Sequence, residues 1–359
     1  MSLSTVDNLL HVGVSQAPIT PPIGFTIAGP EFPDRSARAI DDDLAVRCII
    51  FKSYDTTAAL VSLDVHGIAD WLKILISQAI AKSTCIPRNN ITVLTTGNGI
   101  SPPLWRDEND LPDQYRNYVA YLPDIIAGTT LDAAQSLEPA AVGTVTAALP
   151  NLSCFATPSN DEALETERET LQLTVIQTAD DRTACILYNF ACPATIIGNT
   201  SAWTADFPGI ASSALEQAGA DIAIFIQGAS ADIRPFDWSD DNSDISHAER
   251  QWSDAQAFAI LLATQTIRAA SNVITRRNAP VKTATSGNGD MSALKIGDTT
   301  FVTTNSHQSI QFAADLRTAL PETKLLVSTN PAGGMTSANQ RSSLLAKTVE
   351  LVDQSGIYP

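Results

Sequence analysis

The chain has 359 residues, is 44% hydrophobic, and sets 39 acidic against 22 basic residues for a formal net charge of −17. That length and apolar content can bury a large core and exclude a disordered chain; the acidic balance repels polyanions and excludes nucleic acid as a partner. No run reaches the roughly 20 apolar residues of a membrane-crossing helix, so no transmembrane segment is expected.

The opening MSLSTVDNLL has neither a basic n-region nor an apolar h-region. A soluble protein is expected, either cytoplasmic as in bacteria or exported with its leader removed and Met-Ser-Leu standing in its place. The compartment and the oligomeric state stay open. Strand-length apolar runs rich in Val, Ile and Phe follow at 10–14, 45–51, 58–65, 91–95, 171–176, 184–190, 222–226, 294–296, 301–304 and 325–327. Helical spacing fills 70–82, 118–136, 207–218, 247–271, 309–320 and 338–354. This alternation predicts an α/β fold with a mixed β-sheet core flanked by helices. Segments 18–37 and 96–114 hold too much Pro and Gly for either element and read as long loops, which are often functional.

Ligands of α/β sheets sit beyond the carboxyl ends of strands. Five corners meet that rule: SLDVHGI with Asp64 and His66, TTGNGISPP with Gly97, Asn98 and Gly99, NFACPATIIGN with Pro193, IFIQGASADIRP with Asp232 and Arg234, and VTTNSHQS with His307. TGNGISP is no dinucleotide fingerprint, since it lacks the third glycine and runs into prolines, and no Gly-Lys-Ser/Thr phosphate loop or His-Glu-x-x-His helix occurs. GASAD around Ser230 shares half of a nucleophile elbow, with Asp232 where the last glycine belongs.

His11, in the opening strand, and His247, at a polar helix start, read as structural or solvated, whereas His66 and His307 stand at strand ends. With Asp64 or Asp232 as carboxylate partner they suit general acid–base work, although Asp232 with Arg234 reads equally as a structural ion pair. Of five cysteines, Cys48, Cys85, Cys154, Cys185 and Cys192, three lie in apolar runs and read as buried free thiols, and no Cys-x-x-Cys spacing marks a zinc site.

Taken in order, the corners resemble the catalytic N-terminal domain of the neutral/alkaline ceramidases, zinc amidases that cleave N-acyl-sphingosines. The echoes are VGVSQAPITPPIGFTIAGP (12–30), DDDLAVRCI (41–49), ALVSLDVHGI (59–68), NFACPAT (189–195), TADFPG with Asp206 (204–209) and QGASADIRP (227–235). The resemblance implies that family's α/β domain over residues 8–359 as one domain, without the C-terminal immunoglobulin-like domain of full-length members. It also implies a lost zinc site. The family's His-x-His corner, carrying a ligand and a second active-site histidine, falls on Gly97 and Gly99, and its second ligand histidine falls on Pro193. The glutamate ligand aligns near His307, the tyrosine ligand near Met335 in TNPAGGMTSA, and a serine implicated in catalysis falls on Arg234. No zinc or other cofactor is therefore expected, because a catalytic zinc needs at least three protein ligands.

Three functions follow as expectations. The first is a ceramidase-like protein without the zinc site that binds a small-molecule or lipid-like ligand or has diverged catalytically. The second is a hydrolase of an N-acyl amide or ester, with a site rebuilt from His66, His307, Asp64 and Asp232. The third is a structural or assembly role in which the old cleft is filled. Trp105 and Trp203, in the two loops that bear the family's histidine corners, are placed to cover or fill the vacated space.

Overall fold

The computed structural model describes residues 9–29, 32–54, 56–235, 249–287, 289–333 and 337–354. Its main elements, in chain order, begin with β1 (His11–Pro18), β2 (Ala45–Ser53), β3 (Thr56–Leu63), α1 (Asp70–Thr84), β4 (Ile91–Thr95) and α2 (Tyr115–Gln135). Next come β5 (Glu138–Ala148), β6 (Thr170–Thr178), β7 (Thr183–Phe190), α3 (Asp206–Gln217), β8 (Ala220–Gln227) and α4 (Trp252–Ala270). The chain closes with β9 (Val281–Thr285), β10 (Met291–Ile296), β11 (Thr299–Thr304), α5 (Ile310–Ala319), β12 (Lys324–Thr329) and α6 (Ala338–Gln354).

Eight strands form one mixed sheet in the order β8-β7-β6-β5-β1-β2-β3-β4, and β9-β10-β11-β12 form a second. The pairs β3–β4, β7–β8 and β11–β12 are parallel and the others antiparallel. The large sheet doubles over on itself, because alternate residues of its strands serve different cores. In β2, Cys48 and Ile50 face outward onto Leu72 and Ile76 of α1 and Leu122 and Ile126 of α2. Their neighbours Ile49 and Phe51 face inward, onto Leu187 of β7 and Ile224 of β8. In turn, Tyr188 and Phe225 point outward onto Phe207 of α3 and Phe258 of α4. The period-2 geometry of a strand thus makes a helix–sheet–sheet–helix stack. A hydrogen bond from the Ser62 hydroxyl to the Phe225 carbonyl, 3.5 Å, crosses between the two sheet layers.

One face of the small sheet, with Leu294, Phe301 and Leu326, joins the inner core. The other is covered by Phe312 and Leu316 of α5 and Val352 of α6. Asn189 ties the two sheets together, its amide donating to the carbonyls of Ile226 and Val327 at 2.9 and 3.0 Å. Of the predicted elements, the helix set at 247–271 starts at Trp252, behind a capping box of Gln251 and Asp254, and β5 and β9 are strands the apolar pattern did not mark. Cys48, Cys185 and Cys192 are buried and free. Among the described residues no helix is long and apolar enough to cross a membrane.

Candidate functional site

In the two larger sheets, the strands that make parallel pairs end at Leu63, Thr95, Phe190, Gln227, Thr304 and Thr329, and the corners beyond them interlock. The amide of Gly99 donates to the Ala194 carbonyl at 2.9 Å, that of Ala231 to Gln308 at 3.0 Å, and the Thr329 hydroxyl to Gly228 at 3.1 Å. Asn98, fully buried, fastens three segments: its side-chain amide donates to the carbonyls of Asp64, Ile100 and Thr204 at 3.2, 3.0 and 2.8 Å.

Close approach explains the glycines beside it. Gly97 has φ +76°, and a Cβ there would lie 2.8 Å from Cγ of Pro331 and 3.3 Å from Oε1 of Gln227. A Cβ on Gly99 would meet the Thr195 methyl at 3.2 Å. The direction a side chain would take from residue 97 is therefore already occupied by the Pro331 ring. Pro193 offers only its carbonyl, which accepts from Thr195 N at 2.9 Å.

His66 and His307 are brought together around this corner. The His66 amide donates to the Ser101 hydroxyl at 2.9 Å, and its ring meets Trp105 edge-on with centroids 4.8 Å apart. Burial pushes His66 down to about 4; the Gly97 backbone opposes that and nearby His307 adds to it. Burial likewise lowers His307 to about 4. Both rings are neutral at pH 7. His307 Nε2 lies 3.5 Å from Ser230 Oγ, which accepts from the Gln227 side-chain amide at 2.7 Å. His66 Nδ1, Thr96 Oγ1 and Gln227 Oε1 are buried with no hydrogen-bond partner among the described residues. The three atoms belong to residues at or beside the Gly97 corner, which is thus left with unused hydrogen-bonding capacity.

The carboxylates go elsewhere. Asp64 takes Nη1 of Arg47 at 2.6 Å and the amide of Ala45 at 3.1 Å, with both charged side chains buried. Asp232 accepts the Ile310 amide at 2.9 Å and so caps α5. Asp206, at φ 52°, accepts from Ile197 and Phe207, and its burial raises its carboxyl to about 6. Arg234 lies exposed on a short strand, Ile233–Pro235, beside a cleft of about 330 Å³ that it lines with Phe155 and Arg168. Among the described residues, Arg234 and Asp232 form no ion pair with each other. Met335 and His247 lie outside the described residues, while His11 is tied to the Leu9 carbonyl at 3.1 Å. Trp203 is wholly buried.

Two residues escaped the sequence reading. Gln227 ends a strand and carried no chemical signature. Lys73 sits amid an apolar helix, yet its amine reaches Asn305 Oδ1 at 2.6 Å and burial lowers its pKa. Among the described residues no group of three or more His, Cys, Asp or Glu side chains is placed to hold a metal ion.

The imidazoles make stability depend on pH. In the unfolded chain they titrate near 6.5, and in the fold near 4, so between these values the unfolded state binds more protons. Their contribution is full above pH 6.5 and is lost as pH falls toward 4, on the order of 3 kcal/mol for each ring. Asp206 runs the opposite way, favouring the fold at low pH and losing that contribution as pH rises through about 6. The variant His66→Gln/His307→Gln is therefore expected to lose less stability than the wild type between pH 7 and pH 4, and Asp206→Asn to lose more. Equal acid sensitivity of all three in urea titrations contradicts the assignment.

With this geometry in hand, the class of the fold is a ceramidase-like α/β fold. The chain is similar to the neutral ceramidase from Pseudomonas aeruginosa, with a TM-score of 0.78 over 98% of this chain and 75% of that one at 11% identity. A second similar structure is a ceramidase complexed with C2, with a TM-score of 0.74 over 94% of this chain and 71% of that one, again at 11% identity. No protein-family model and no curated protein matches the sequence.

Proposed function

We propose that this chain is a ceramidase-like protein that works without zinc, holding a small-molecule or lipid-like ligand at the corner of His66, His307, Ser230 and Gln227. One observation carries the reading: the Pro331 ring stands 2.8 Å from where a Cβ of residue 97 would begin, at the position aligned with a ligand imidazole. Gly97 and Gly99 have no side-chain donors, and Pro193 has no side-chain donor either, so the residues present do not fit zinc. The unpartnered His66 Nδ1 and Gln227 Oε1 support a ligand that brings its own hydrogen-bonding groups. Metal analysis of protein purified without chelator tests this, with zinc expected well below one equivalent. Stoichiometric zinc overturns it.

A second reading, hydrolysis of an N-acyl amide or ester, is favoured by the Ser230–His307 contact. It draws on the two histidines and on neither Asp64 nor Asp232, whose carboxylates are engaged in the fold.

A further inference from the structure

We propose that Ser230 is the nucleophile of an acyl-transfer site in this corner, with His307 as its base and a short-chain ester or amide as substrate. The inference deepens the second reading and rests on the corner working without zinc. Gln227 donates its side-chain N–H to Ser230 Oγ, so the serine keeps its own proton for a different acceptor. The acceptor within reach is Nε2 of His307, 3.5 Å away, a separation that commonly shortens once substrate is bound. Neutral at pH 7, His307 takes that proton at Nε2 in the tautomer that carries its own hydrogen on Nδ1.

Ser230 is only 2% exposed, and the substrate proposed for it is accordingly one with a short acyl chain. Nearby, the unpartnered Gln227 Oε1 can accept a hydrogen bond from the N–H of an amide or from the incoming water. Asp232 does not complete a triad, since its carboxylate holds the start of α5. The unit is a dyad.

In the acylation step the Ser230 proton passes to His307 Nε2 while Oγ bonds to the substrate carbonyl carbon. The tetrahedral adduct then expels the alkoxide or amine, which leaves with the proton from His307. Water repeats the sequence: it gives its proton to His307, attacks the acyl carbon, and releases the acid as Ser230 Oγ regains its proton. No oxidant, reductant or metal is needed.

Methanesulfonyl fluoride is small enough to test the site: sulfonylation forms the Oγ–S bond, breaks the S–F bond and releases fluoride with the serine proton. The full chain, incubated with this reagent and read by intact mass and peptide mapping, is expected to gain one methanesulfonyl group on Ser230. Ser230→Ala is expected to abolish the adduct, and His307→Gln to slow its formation at least about tenfold, in line with the usual worth of a general base. Mapping the wild-type adduct keeps the test valid even where a variant folds poorly. No adduct, or an adduct on another residue, overturns the proposal. Zinc content of the same preparation separates two failures. Stoichiometric zinc without adduct overturns the zinc-free reading, and absent zinc without adduct overturns the role of Ser230 alone.

Discussion

Asp64→Ala is expected to destabilise the protein by about 3–5 kcal/mol, the usual cost of removing one partner of a buried ion pair. Asp64 is 1% exposed and Arg47 is 7% exposed, and their contact is 2.6 Å. Without the carboxylate, the guanidinium keeps only Glu216, at 3.5 Å, and the Ala45 amide loses its acceptor. The cost arises from a stranded charge, so Arg47→Met/Asp64→Leu is expected to be clearly less destabilising than Asp64→Ala. Denaturant titrations of the three proteins check this. A loss under about 1 kcal/mol for Asp64→Ala rejects the structural role and returns the carboxylate to the list of groups free for chemistry.

Gly97→His is expected to cost about 3 kcal/mol and to leave zinc content unchanged. The substitution introduces the residue type that the sequence resemblance implies for this position, but at φ +76° and with Pro331 Cγ 2.8 Å from the new Cβ. Strain of a non-glycine in the left-handed region and crowding against the proline each contribute. Pro331→Ala in the same chain is expected to recover part of the loss. Zinc uptake by Gly97→His at unchanged stability means that the proline yields and the corner is still a metal cradle.

Much of the architecture is legible in the residues. Val- and Ile-rich runs mark most strands of both sheets, because burial on two faces removes polar positions. β5 escapes, since EPAAVGTVTAA is built from small and weakly strand-forming residues and its later part is half exposed. The folding-over of the large sheet is also illegible, because period-2 alternation is blurred when both faces are apolar.

The strand-end rule located the corners, and it set His66 and His307 at them. It could not say where the carboxylates would turn. Asp64 goes to Arg47, 17 positions away in sequence, and Asp232 to Ile310, 78 positions away. Gln227 carries no motif, and its place beside Ser230 emerges only from the turn that follows β8.

The two layers of the large sheet meet at a narrow seam. β1 and β5 are joined by the register pairs His11–Pro139 and Val12–Glu138, whereas β1 and β2 share eight pairs. Residues 11–135 supply one layer with its helices, and the strands that cover its inner face arrive at 183–190 and 220–227. During synthesis, Ile49, Phe51, Ala58 and Leu60 thus emerge well before their partners Leu187, Ile224 and Ile226. The nascent chain carries an open greasy sheet over a hundred residues of elongation, the kind of surface that chaperones hold. Shortening the delay between the two layers, as by circular permutation, would then raise soluble yield without touching a single residue of the corner.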